Sequence, residues 1–118
     1  MTIADLRKEG FDVDSALNYC AGSEEIYVEV LETALEEGLG KIPFIKECVE
    51  KEDFGRYCIE VHGLKNAARQ IGAIELSELA FEQEKAAKAE QYDFIKETNG
   101  KLLEKYKQTM DVLKELLG

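Results

Sequence analysis

The sequence predicts an all-α protein: an antiparallel up-down four-helix bundle behind a short N-terminal helical lead. Three observations carry this. Apolar residues recur at intervals of three and four along four long stretches, the spacing of one helix face. No stretch of useful length alternates apolar and polar residues as a strand would. The links between stretches are two to five residues long, and short links between long amphipathic helices favour antiparallel neighbours.

The lead runs from Ile3 to Lys8, then Gly10, then a short helix near Asp14 to Cys20. Gly22-Ser23-Glu24-Glu25 reads as a stop and a start: Ser23 suits an N-cap, and the two glutamates suit the positive end of a helix. Ile26, Tyr27, Val30, Leu31, Ala34 and Leu35 then form one stripe. Gly38 and Gly40 weaken it and Pro43 threatens it, before Phe44, Ile45, Cys48 and Val49 resume the period. The expectation is one bent helix, or two in series, over Glu24 to Lys51. The next helix spans Asp53 to Gln70, with Asp53 as N-cap and Gly72 as the C-terminal glycine. Its stripe is Phe54, Tyr57, Cys58, Val61, Leu64, Ala68 and Ile71. A third covers Glu75 to Glu90, with Leu76, Leu79, Ala80 and Ala87 on one side. The fourth starts near Tyr92, with Ile95, Leu102, Leu103, Tyr106, Met110, Leu113 and Leu117 near heptad spacing.

A chain of 118 residues is one domain's worth, so residues 1–118 are expected to form a single domain. Lys and Arg total 15 against 25 Asp and Glu, a formal net charge of -10. Such a chain repels nucleic acid and anionic membranes on average, so neither is an expected partner. No apolar run approaches the roughly 20 residues of a membrane span, and the N-terminus is too polar for a signal peptide. A cytoplasmic monomer is expected. Cys20, Cys48 and Cys58 are odd in number and widely spaced, which favours buried reduced thiols over disulfides or a zinc ribbon. Gly38-Leu39-Gly40-Lys41 lacks the spacing of a nucleotide loop.

The chemistry centres on the single histidine, His62, in the middle of the second bundle helix at the edge of its apolar stripe. Lys65 lies one turn on and Arg69 two turns on, cations in an otherwise acidic protein. Gly63, Ala67 and Ala68 leave that stretch open to close approach. A neutral imidazole is a nucleophile near pH 7, and a phosphoryl group on it adds about two negative charges. A cation one turn away can stabilise that charge. On spacing alone, a histidine that merely packs or hydrogen-bonds at a bundle edge is the commoner explanation.

The stretch Val61-His62-Gly63-Leu64-Lys65-Asn66-Ala67-Ala68-Arg69-Gln70-Ile71-Gly72-Ala73, followed by Leu76-Ser77 and Leu79-Ala80, resembles the signature of histidine-containing phosphotransfer domains. That signature has a His-x-x-Lys core, small residues, an apolar-Gly-Ala break and a Leu-rich returning helix. Phe11 to Leu17 and Glu24 to Tyr27 resemble the family's opening segment, so the resemblance runs from about residue 10 to residue 95. It implies a four-helix antiparallel bundle with an exposed phosphoacceptor histidine on the second bundle helix. His62 would accept the phosphoryl group and Lys65 would be its charge partner, an exposed cation of little weight in folding. Asn66, Arg69, Gln70 and Gln83 would border the binding surface.

The implied function is a phosphorelay intermediate of two-component signalling. It takes a phosphoryl group from a receiver-domain aspartyl phosphate and passes it to another receiver. Partners would be response-regulator receiver domains and a hybrid sensor kinase. No cofactor is expected on this chain, Mg²⁺ belonging to the receiver, and no autonomous kinase activity. Two positions depart from the pattern. Asn66 stands where a very small residue is usual. Gln83 stands where an apolar residue is usual, and would either reach toward His62 or sit at a partly exposed edge. Asn66 keeps a second reading open: the same bundle as a non-phosphorylated module that binds receiver or kinase domains. A Cys58–His62 metal clip is a third reading, but no second histidine or paired cysteine completes it.

Overall fold

The computed structural model describes every residue from Met1 to Gly118. A 3-10 segment, Ile3–Glu9, leads into five helices: α1 Val13–Tyr19, α2 Glu24–Glu50, α3 Phe54–Gln70, α4 Ile74–Lys88 and α5 Tyr92–Leu117. There is no sheet, only one antiparallel bridge between Phe11 and Ala73. The bundle consists of α2 to α5. Its closest pairings are α3 with α4, α2 with α5 and α4 with α5, whereas α2 touches α3 only lightly.

The caps follow from the side chains named above. The Ser23 hydroxyl accepts from the Ile26 amide at 3.2 Å, and the Asp53 carboxylate accepts from the Arg56 amide at 3.1 Å. Each satisfies a donor that a helix start leaves free. Of the two alternatives at Pro43, one helix or two in series, the structure has the first: α2 is a single helix with Pro43 inside it. Losing one amide donor near the last turns is outweighed by tertiary packing, since Ile45 and Cys48 beyond the proline stay in the core. Helix α4 runs from Ile74 to Lys88, slightly displaced from the expected Glu75 to Glu90.

Two glycines set the approach of neighbouring elements. At Gly38 a Cβ would collide with the end of the Met110 side chain, which would have to move aside where α2 meets α5. Gly72 has φ +83, and a Cβ there would lie 2.5 Å from the Asp12 carbonyl oxygen. That glycine ends α3, and its own carbonyl accepts from the Asp12 amide at 2.8 Å. The Tyr27 hydroxyl ties α2 to the same turn by donating to the Ile71 carbonyl at 2.8 Å. The α3–α4 turn is therefore held from both the N-terminal segment and α2.

The core draws on every helix, with Leu6, Tyr27, Leu31, Tyr57, Val61, Leu76, Ile95, Leu102 and Leu113 almost wholly buried. No helix is long and apolar enough to cross a membrane. All three cysteines are unpaired; Cys20 and Cys48 are buried and Cys58 is half-buried.

Candidate functional site

His62 lies midway along α3 with about half its side chain exposed. Its apolar neighbours on the helix, Val61 and Leu64, point into the core and fix the helix face. What orients the ring comes from α4. The Glu84 carboxylate, only 2% exposed, lies 2.5 Å from His62 Nδ1. Lys65 Nζ donates to the other Glu84 oxygen at 2.7 Å, and Lys88 Nζ lies 3.2 Å from the first. Burial pushes the Glu84 carboxyl up, but hydrogen bonds from Lys65, His62 and Lys88 outweigh it and hold the group down at about 2.

An ionised carboxylate can only accept, so the proton between the two groups belongs to Nδ1. In the neutral ring that leaves the lone pair on Nε2, which faces outward. Asn66 Nδ2 comes within 3.4 Å of Nε2, long for a hydrogen bond, and stays exposed. The arrangement is a nucleophilic nitrogen at the surface backed by a buried anion, the anion being held by two lysines. One carboxylate and two lysines leave the immediate surroundings cationic, in a chain of net charge -10.

Lys65 is not the exposed cation expected. Its side chain is 15% exposed, bonded to Glu84 and lying 5.1 Å from the centre of the Phe81 ring, which Lys85 also approaches at 4.7 Å. The structure thus brings His62, Lys65 and Asn66 together. Arg69 is exposed further along α3. Gln70 is exposed too, but it borders a groove between α2 and α3, beside Ile26 and Val30. Gln83 corrects both expectations held for it. It neither reaches His62 nor sits at an exposed edge: it is 3% exposed and accepts from the Tyr57 hydroxyl at 2.6 Å.

Glu84 and Lys88 were not singled out from the sequence. A signal was there: Glu84 follows Ala80 by four and precedes Ala87 by three, so a carboxylate stands in the apolar row of α4. Such a group needs a cation from a neighbouring helix.

No protein-family model and no curated protein matches the chain. Among solved structures it is similar to the HPT domain of the Hpt sensor hybrid histidine kinase from Shewanella. The two share 18% identity with a TM-score of 0.81, over 90% of this chain and 92% of that one. The fold is that of a histidine-containing phosphotransfer domain.

Proposed function

We propose that residues 1–118 form a single histidine-containing phosphotransfer domain, a phosphorelay intermediate of two-component signalling. It takes a phosphoryl group onto His62 from the aspartyl phosphate of one receiver domain and gives it to another. The observation that carries this reading is the Glu84–His62 bond, which assigns the proton to Nδ1 and leaves Nε2 free at the surface. A histidine that served only packing would not need a buried anion to fix its tautomer.

In the step proposed, Nε2 attacks phosphorus, the bond from phosphorus to the aspartyl oxygen breaks, and the aspartate leaves as a carboxylate. Glu84 steadies the positive charge developing on the ring through Nδ1–H. Lys88 and the Asn66 amide would be the donors nearest to hand for the phosphoryl oxygens. Lys65 acts mainly through Glu84. Around the histidine, Ile59 is 61% exposed and Gly63 and Asn66 are also exposed, a partly apolar face that a receiver could cover. The receiver would supply Mg²⁺. The chain would work as a cytoplasmic monomer, partnered by receivers and a hybrid kinase.

The test mixes the protein with several phosphorylated receivers and follows acid-labile, base-stable label. Label is expected on the native protein and none on His62→Gln, whose circular dichroism should stay helical. Label on the Gln variant would remove His62 from the role. An Asn66→Gly arm addresses the interaction-module reading. Transfer should remain within a few-fold of native, with about 1 kcal/mol lost in stability relative to an alanine at the same site. An inert native protein beside an active Gly variant would favour the module instead.

A further inference from the structure

Helix α4 carries Glu84 to His62, yet its own core face is poor in shape. Its buried residues are Leu76, Ser77, Ala80, Gln83, Glu84, Ala86 and Ala87, with Leu76 the one large apolar side chain among them. Leu79 adds a partly buried contact, but the alanines offer little shape to fix the rotation of the helix. The Glu84 contact depends on that rotation. A side-chain tip lies ~6 Å from a helix axis, so a turn of ~20° moves it by ~2 Å, enough to break a hydrogen bond.

Directional bonds can supply what the alanines cannot. Gln83, next to Glu84, is bonded at both ends of its amide. The Tyr57 hydroxyl on α3 donates to its carbonyl oxygen at 2.6 Å. Its amide nitrogen donates to the Thr98 hydroxyl on α5 at 2.7 Å, and that hydroxyl donates onward to the Phe94 carbonyl at 2.6 Å. The chain of donors has one polarity. Turning the amide over would leave the Tyr57 hydroxyl proton without an acceptor and draw the Thr98 hydroxyl away from the Phe94 carbonyl. A second link runs from the Ser77 hydroxyl to the Lys65 carbonyl at 3.0 Å.

We infer that Gln83 is a positioning residue: through Tyr57 and Thr98 it sets the rotation of α4, so that Glu84 meets His62 Nδ1. A leucine there would satisfy burial equally well, which is why the polar choice calls for a role beyond filling the core. The consequence for catalysis rests on the phosphoryl-carrier reading; the effect on the ring does not.

The test uses the double variant Tyr57→Phe/Gln83→Leu, which removes both polar partners together, and Tyr57→Phe alone as a milder change. His62 is the only histidine, so ¹⁵N signals of the imidazole report its tautomer without assignment. Phosphate acceptance is measured with phosphoramidate, a small donor that needs no receiver. The double variant should melt cooperatively, lose part of its Nδ1–H tautomer and accept phosphate about tenfold more slowly. Native-like ring signals in the folded double variant would overturn the inference. If that variant does not fold, Tyr57→Phe decides: a shifted tautomer supports the inference and an unshifted one overturns it. A native protein inert to phosphoramidate and to every receiver would defeat the carrier reading, while the ring signals would still judge Gln83.

Discussion

At the scale of single residues, Glu84 is the group on which the site turns. It is nearly inaccessible and yet ionised, because three donors surround it. Lys65→Ala would remove one of them and leave a buried carboxylate short of a partner. Losing a hydrogen bond to a charged group costs about 1.5–3 kcal/mol, so a clear fall in the urea midpoint is expected. This is more than an exposed lysine would show, and an unchanged midpoint would mean that Lys65 does not support Glu84. A second expectation concerns pH. The Glu84 carboxyl sits at about 2 in the fold against an ordinary 4.5. A depressed value means that its contribution is fully present above about 4.5 and is lost as pH falls toward 2. The stability difference between native protein and Glu84→Gln should therefore shrink across that window. A difference independent of pH would show that the carboxylate charge does not stabilise the fold.

At the scale of elements, the α3–α4 turn decides whether the two halves of the site meet. Gly72 gives that turn its left-handed residue and lets the Asp12 backbone come close. Gly72→Ala combines an unfavourable φ with a collision against backbone. The conformational part alone costs about 1–3 kcal/mol, to be read by urea unfolding. Because α4 follows directly, the His62 ring signals should shift as well. The helices themselves were legible in the sequence, since each bundle helix shows its own three-and-four stripe and Ser23, Asp53 and Gly72 mark ends. For α2 the sequence allows either one bent helix or two, and the packing of Ile45 and Cys48 beyond Pro43 decides for one. His62 and Asn66 were legible because they share one face of α3. Glu84 was not, since no periodicity states which residue of α4 faces which residue of α3. Gln83 was misjudged for a related reason: a polar side chain can be buried when two other helices supply partners, and Tyr57 and Thr98 lie on two different helices.

At the scale of the whole molecule, the pairings fall into two kinds. Helices α3 and α4 are joined by a three-residue turn and pack tightly, whereas α2 and α5 pair across most of the chain. His62 and Glu84 are separated by 22 residues in the sequence. Contacts between neighbours in sequence close short loops, with a smaller entropy cost than contacts between distant segments. Leu64→Ala on α3 is therefore expected to slow folding in stopped-flow measurements. Leu113→Ala on α5 should mainly speed unfolding. Equal partition of both effects between the two rates would contradict this order. A carboxylate and an imidazole held by one helical hairpin form a cassette: during synthesis His62 and Glu84 both emerge from the ribosome ahead of α5, and the contact between them can begin to form before the bundle closes.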